Sequence, residues 1–494
     1  MELSMLLEMA AEGCPDRVAI GRRADGLTYE ALLTRARSLG SGLASSEVKH
    51  VAMVDTNSEA VPLLVYASSF AGLPFVPLNY RLADQQLRAA VERISPAVVV
   101  APPEQASRFE GVENVHVWSP DDLGTMETAP AEAAGAEEDD AIAILLFTSG
   151  TSGEPKGAVL RPSHLVSYVL STVEFLGAGD DEAILVSVPP YHIAGISTVL
   201  TSVYAGRRMV QMPSFTPEGW VEVARSEAVT HAMVVPTMLG RILDVIEADG
   251  EGLPALRHLS YGGGRMPGMV VERTLRLLPT VDLVNAYGLT ETSSTIAVLG
   301  PEEHREAAAS DDPAVRRRLG SVGRPLPSVE IEIRDRDGAA VPVGDAGEIY
   351  VRGEQVSGEY LSHDALDSDG WFPTRDRGQL DADGFLYVDG RADDVIVRGA
   401  ENLSPGEIED VLSRHEAVAE AAVVGVPDTE WGERVVAAVV LRQDTEASED
   451  ELKDWVRSRL RSAKTPSEVH FLQQLPHNET GKLLRRVLRE ELAV

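Results

Sequence analysis

The chain has 494 residues, 44% hydrophobic and 25% charged, which is ordinary for a globular protein with sizeable cores and excludes a disordered or fibrous one. Its 44 Lys+Arg against 78 Asp+Glu give a net charge of −34, so nucleic-acid binding is excluded as a general role and an anionic membrane would repel most of the surface. The single cysteine, Cys14, excludes an internal disulfide and a cysteine-based zinc site, and fits a cytoplasmic protein.

The N-terminus, Met1 to Ser4, lacks a basic region followed by an apolar core, so no secretory signal is expected. A helix is predicted from Glu30 to Ser45, with Leu32, Ala36, Leu39 and Leu43 on one face. Val51–Val54, Phe75–Leu78, Val98–Ala101 and Ile142–Phe147 read as buried strands. Ala60–Tyr80 and Ile184–Gly206 carry no charge, but their prolines argue for buried core rather than an integral membrane segment. Ala129 to Asp140, rich in alanine and acids, reads as an exposed linker. Val329–Ile333 and Glu348–Val351 alternate like half-exposed strands. The last hundred residues form a separate small α+β pattern: helix Leu403–His415, strands Val418–Val426 and Val435–Leu441, helix Glu449–Arg461. Alternating strands and helices indicate an α/β fold with mostly parallel sheets.

Strand Ile142–Phe147 runs directly into Thr148–Gly157, where ten residues include four hydroxyls, three glycines and Lys156. Glycines let backbone N–H groups converge on an anion, hydroxyls add donors, and lysine adds charge, so the segment reads as a phosphate-binding loop at a strand's carboxyl end. It is not a Walker A loop, because Pro155 stands where a glycine and Gly157 where a hydroxyl would be required. A flexible Ser/Gly-rich surface loop is the plain alternative.

This loop resembles the first phosphate-binding signature of the adenylate-forming superfamily, which includes acyl-CoA synthetases, luciferases and the adenylation domains of peptide synthetases. Further segments follow in that superfamily's order: Pro189–His192 is similar to its acyl-pocket segment, Tyr261–Gly264 to its adenine-flanking turn, and Asn285–Glu291 to its adenine and metal motif. Gly347–Gly353, Trp371–Asp376, Gly390–Asp394 and Pro476–Lys482 resemble the later motifs, the last three being those of the ribose, the hinge and the catalytic lysine. The acyl-CoA synthetase, AMP-dependent ligase branch is the one indicated. The resemblance implies a large N-terminal domain of several subdomains (1–392), with mostly parallel sheets and a small β-barrel-like part, and a small mobile α+β C-terminal domain (393–494) hinged at Asp393.

It also implies the reaction and the cofactors: ATP, Mg²⁺ and CoA, with a small-molecule carboxylic acid becoming an acyl-adenylate and then a thioester. By the same resemblance Thr148, Ser149, Gly150, Thr151, Ser152, Gly153 and Lys156 contact phosphates, and Glu291 with Thr148 holds the metal. Gly263, Gly264, Asn285, Ala286, Tyr287 and Gly288 surround adenine, Thr290 meets the α-phosphate, and Asp376 and Arg391 the ribose. Lys482 neutralises charge at the reacting oxygens. Gly399, Ala400 and Glu401 border the CoA channel. Without the resemblance, Lys482 reads as an exposed turn lysine, Glu291 and Asp376 as solvated carboxylates, and Tyr287 as core.

The chain departs from common relatives at Arg375, where many have glycine, and at Ala400 and His477. Arg375 is expected to point outward. The acyl pocket, placed around His192, Ile196, Val235, Met238 and Met266, reads as apolar with Arg265 as its only cation, which suggests a fatty or aryl acid. Arg457, Arg459, Arg461 and Lys464 form a basic cluster that suits CoA or a solvated helix face equally. A carrier protein is the alternative acceptor, and a phosphotransferase the competing enzyme class.

Overall fold

The computed structural model describes residues 1–124, 141–148, 156–391, 394–398, 401–428, 431–477 and 483–493. The predicted linker (129–140) and the hinge residue Asp393 lie outside these.

Among the described residues the first large sheet has eight strands, in the spatial order 363–364, 359–360, 156–160, 144–148, 75–77, 50–53, 97–100, 115–118. Its interior strands pair in parallel, whereas Ile144–Thr148 and Lys156–Leu160 pair antiparallel with Thr148 opposite Lys156. The two ends of the phosphate-loop segment therefore lie side by side. The second large sheet has nine strands, with Arg208–Gln211, Ala183–Val186, His231–Val234, His258–Gly262 and Asp282–Leu289 all parallel and Ser294–Leu299 returning antiparallel. Helices fill the space between the sheets. Helix Tyr29–Ala44, capped by Thr28, buries Leu32, Ala36, Leu39 and Leu43 in the largest core cluster. Helix Ala60–Ala71 is buried on nearly every side, which accounts for its lack of charge. Among the described residues no helix is long and apolar enough to cross a membrane.

Residues 329–391 form an antiparallel sheet in the order 329–334, 347–353, 372–380, 386–391. This sheet stands where the sequence reading places the small β-barrel-like part, and its first and last strands are not hydrogen-bonded to each other. The C-terminal α+β unit contains strands 401–403, 396–398, 432–441 and 418–428, with 468–471 added parallel to 432–441. Two helix boundaries differ from the sequence reading. Leu403 ends a strand, and the helix is Pro405–Ser413, because Ser404 is extended and Pro405 suits only the first helical turn. The other helix, Glu449–Arg457, starts in a capping box of Ser448 and Glu451 and ends at Ser458, so Arg459 and Arg461 leave its face.

Candidate active site

The two large sheets meet where the turn after Asp282–Leu289 approaches the strand Lys156–Leu160. Thr148 and Lys156 are both half-buried there, and the Thr148 hydroxyl lies 3.4 Å from the Lys156 carbonyl oxygen. Ser149, Gly150, Thr151, Ser152 and Gly153, between them, lie outside the described residues.

Glu291 sits in the short turn Thr290–Thr292 and is only 9% exposed. A carboxylate that buried needs donors. Tyr360 supplies one: its hydroxyl donates to Glu291 Oε1 at 2.6 Å. Burial, and then the neighbouring carboxylate, push the Tyr360 hydroxyl well above its ordinary pKa, so it stays a donor. The turn is strained. Ser293 and Ser294 have φ of +56° and +111°, a region that side chains avoid. Buried Gln355 holds it, donating from Nε2 to the carbonyls of Thr292 (3.0 Å) and Thr295 (2.8 Å). The chain reaches the turn through Gly288, where a Cβ would collide with the Ser294 carbonyl.

Asn285, Ala286 and Tyr287 lie on the same strand. Asn285 donates from Nδ2 to the Ser321 carbonyl at 3.1 Å, and the Tyr287 hydroxyl donates to Asp376 Oδ2 at 2.6 Å. Asp376, on the antiparallel sheet, has an 11% exposed side chain and its other oxygen lies 3.3 Å from Arg391 Nε. Asp376 and Arg391 are cross-strand partners, and Arg391 Nη1 also donates to the Thr374 carbonyl at 2.8 Å. With roughly four lone-pair sites, the carboxylate keeps capacity to accept further hydroxyls. Arg375 has φ of +61° and a 72% exposed side chain near Glu348, so it points outward as expected. Gly263 is left-handed at φ +76°, and Gly264 faces open space apart from the Pro236 ring, so a flat base has room at both.

Next to this cluster is a cavity of about 330 Å³ lined by Tyr80, Arg81, Phe215, Val235, Arg241 and His477, with Met238 and Glu420 at its walls. Arg241 lies over the Phe215 ring (5.6 Å) and makes no ion pair among the described residues. The expectation of an apolar pocket with Arg265 as its sole cation is corrected here. Arg265 instead pairs with Asp410 of helix Pro405–Ser413, over Gly406, because a half-shielded carboxylate, its pKa raised by burial, waits there. Ile196 is fully buried in core, Met266 packs on the second core cluster, and His192 stands at the start of helix Ile193–Ala205, beside the Tyr191 ring and without a side-chain bond to the helix end. The sequence reading missed Tyr360, Gln355, Arg81 and Arg241. Only Arg241 carried a local signal, standing one helical turn after Thr237 on the helix that begins at Pro236.

Gly399, Ala400 and Lys482 lie outside the described residues, as does the side chain of Glu401. His477 pairs with Leu483 in an antiparallel bridge, so the segments on either side of Lys482 meet at the cavity's edge. The supposed basic cluster is mostly neutralised: Arg457 pairs with Asp454 and Lys464 with Glu407, while Arg459 stacks on Trp455.

A buried carboxylate with one oxygen already satisfied, a hydroxyl and a lysine nearby, and a glycine-lined opening suit a magnesium nucleotide: hard oxygen donors for the ion, cations and N–H groups for phosphate. Glu291 and Thr148 would hold the ion.

Residues 7–361 match the family model described as AMP-binding enzyme, and residues 407–482 match the AMP-binding enzyme C-terminal domain. The chain is 33% identical over 490 residues to the 2-succinylbenzoate–CoA ligase of Bacillus licheniformis, covering 98% of each protein. The o-succinylbenzoate coenzyme A synthetase of Bacillus subtilis, solved with ATP and magnesium ion, superposes with a TM-score of 0.83 at 31% identity, covering 97% of this chain and 98% of that one. The same protein in complex with its acyl-adenylate intermediate gives 0.85 at 31%, covering 98% and 97%. The amide bond synthetase McbA of Marinactinospora thermotolerans gives 0.88 at 28%, covering 99% of both.

Proposed function

The chain belongs to the AMP-binding enzyme family, and from that membership we propose that it activates 2-succinylbenzoate, or an aromatic acid of the same dicarboxylate form, and passes it to CoA. It is an AMP-forming acid–thiol ligase that uses ATP, magnesium and CoA. The observation that carries the choice of acid is Arg241, a cation without an ion pair among the described residues of a strongly acidic protein, beside the aromatic Phe215 in the cavity. An aromatic acid whose second carboxylate survives the reaction matches a ring next to an arginine; a fatty-acid tail would leave that arginine with nothing to bind.

One carboxylate oxygen of the acid attacks the α-phosphorus of ATP, the bond to the bridging oxygen breaks, and pyrophosphate leaves. The CoA thiol then attacks the acyl carbon, loses its proton, and AMP departs. Both partners of the first step are anions, so alignment and neutralisation supply most of the acceleration. Lys156, Thr148 and the Ser149–Gly153 segment take the β- and γ-phosphates, and Thr290 the α-phosphate. Glu291 and Thr148 hold magnesium, which when bound screens the phosphate charge. Asp376 and Arg391 fix the ribose, and Tyr287 with Gly263 and Gly264 the base. Lys482 neutralises the oxygen between carboxylate and α-phosphorus. For the thiol step the C-terminal domain, 393–494, turns about Asp393 and brings Gly399, Ala400 and Glu401 to the channel.

The test is incubation with ATP, Mg²⁺ and a panel of acids (2-succinylbenzoate, benzoate, octanoate), with and without CoA, while pyrophosphate, AMP and free thiol are measured. Pyrophosphate release is expected with 2-succinylbenzoate, thiol loss matching AMP, and collapse in Lys482→Ala. ADP as product would overturn the scheme, and octanoate as the preferred acid would overturn the substrate.

A further inference from the structure

We propose that Tyr360 is a positioning residue that presents Glu291 to the magnesium ion of the bound nucleotide and couples that carboxylate to the lysine of the phosphate-binding loop. This rests on the reading of Glu291 as the metal carboxylate.

The segment Ser357–Tyr360 touches both halves of the nucleotide site. Its backbone holds the Glu291 turn: the N–H groups of Ser357 and Gly358 both donate to the Glu291 carbonyl, at 2.9 and 3.2 Å. It also holds the phosphate-loop strand. The Ser357 hydroxyl donates to the Val159 carbonyl, and Tyr360 lies opposite Ala158 in an antiparallel pair. Tyr360 repeats this double attachment with its side chain, through the hydroxyl on Glu291 Oε1 (2.6 Å) and the ring face 5.4 Å from Lys156 Nζ. Its other ring contact is His363, stacked at 5.0 Å.

The residue type matters. A buried carboxylate that is to bind a hard cation must keep its charge and one free oxygen. An arginine or lysine partner would cancel the charge the ion needs. A phenol satisfies one oxygen with a neutral donor and leaves the other for the ion. The ring places Lys156 near the same carboxylate without a direct ion pair, so lysine and glutamate both stay available, one to phosphate and one to metal.

The experiment uses the full chain. Mn²⁺ binding in the presence of ATP is followed by electron paramagnetic resonance of the free ion, alongside ATP binding without metal, for wild type, Tyr360→Phe, Glu291→Gln and the double variant. Tyr360→Phe keeps the ring and is expected to weaken Mn²⁺ binding about tenfold, as the loss of a partner to a metal ligand commonly does, with metal-free ATP binding unchanged. In the Glu291→Gln background the same change should do nothing further. Tyr360→Leu should also weaken metal-free ATP binding, because Lys156 loses its ring. Mn²⁺ binding by Tyr360→Phe within about twofold of wild type would overturn the proposal, as would an equal loss of metal-free ATP binding, which means general loosening. If the wild type forms no adenylate with any acid, the functional reading fails while the Mn²⁺ measurement still decides the role of Tyr360.

Discussion

The hydroxyl of Tyr287 donates to the carboxylate of Asp376 at 2.6 Å, joining the last parallel strand of the nine-stranded sheet to the antiparallel sheet. Burial and then Asp376 push the tyrosine hydroxyl well above its ordinary pKa, which keeps it protonated. A hydrogen bond to a charged, nearly buried acceptor contributes about 1.5–3 kcal/mol. Tyr287→Phe is therefore expected to lower unfolding stability by that amount in a denaturant titration. It should also weaken ATP binding, because the ribose carboxylate loses one of its supports. Unchanged denaturation and unchanged ATP affinity together would mean that the bond carries neither load.

Arg375 pays for its place beside that carboxylate in backbone strain. Its φ of +61° suits glycine, its side chain is 72% exposed, and the nearest acid, Glu348, is 3.7 Å away. An exposed pair at that distance contributes little. The left-handed conformation costs an L residue roughly 1–2 kcal/mol, and glycine's extra unfolded-state entropy takes back part of the gain. Arg375→Gly is expected to raise stability by about 0.5–1 kcal/mol with the KM for ATP unchanged. A loss of stability would show that the arginine makes a favourable contact that outweighs the strain.

The parts of the site that a reader of the sequence finds are those written in consecutive residues. Thr148 and Lys156 bracket one loop, Asn285 to Glu291 follow one strand, and Asp376 sits next to its own strand partner's motif. What the sequence hides is made by long-range pairing. Tyr360 meets Glu291 across 69 positions and Gln355 meets Thr292 across 63. No local periodicity encodes either contact. Arg265 illustrates the opposite error: its position in the chain puts it among pocket residues, but its length lets it leave the pocket for Asp410. The helix end at Arg457 was missed for a smaller reason, since charged residues continue past it in a helical rhythm that the backbone does not follow.

Two histidines, the part-buried His231 and the buried His304, contribute to the acid limb of stability, as does His50, which burial also pushes down. His231 lies behind Thr230, facing Glu182, Arg207, Arg257 and the stacked ring of His258; burial, with these cations and the second histidine, pushes its pKa down to about 2. Glu182, 3.7 Å away, does not reverse this because it already pairs with Arg207. His304 donates from Nδ1 to the Gly300 carbonyl at 2.7 Å and accepts at Nε2 from the Tyr261 hydroxyl at 2.9 Å, and burial lowers its pKa too. Both fold as neutral imidazoles, and the unfolded chain takes up their protons below about pH 6.5. Stability is therefore full above that pH and falls as pH drops, by up to about 1.4 kcal/mol per pH unit for each histidine. Asp55, Asp389 and Asp410, raised by burial, act in the opposite sense. Urea titrations at pH 7.5, 6.5 and 5.5 should show this loss, and His231→Gln should have the shallower slope. Equal slopes would mean that His231 is protonated in the folded chain.

Arg241 gives the sharpest test of the acid. Its guanidinium lies over Phe215 at the cavity, free of any ion pair among the described residues, and a charge-assisted bond from it to a substrate carboxylate would be made equally in the ground and transition states. Losing such a bond raises KM without lowering kcat. Arg241→Ala is thus expected to raise the KM for 2-succinylbenzoate by about 10–100-fold, the equivalent of about 1.5–3 kcal/mol, while kcat and the KM for ATP hold. Arg241→Lys should recover only part, because a point charge replaces a planar fork. For an acid that keeps the ring and the activated carboxylate but lacks the second one, wild type and Arg241→Ala should be indistinguishable. If the variant loses as much on that simpler acid as on 2-succinylbenzoate, the arginine serves the pocket's shape and the second carboxylate binds elsewhere.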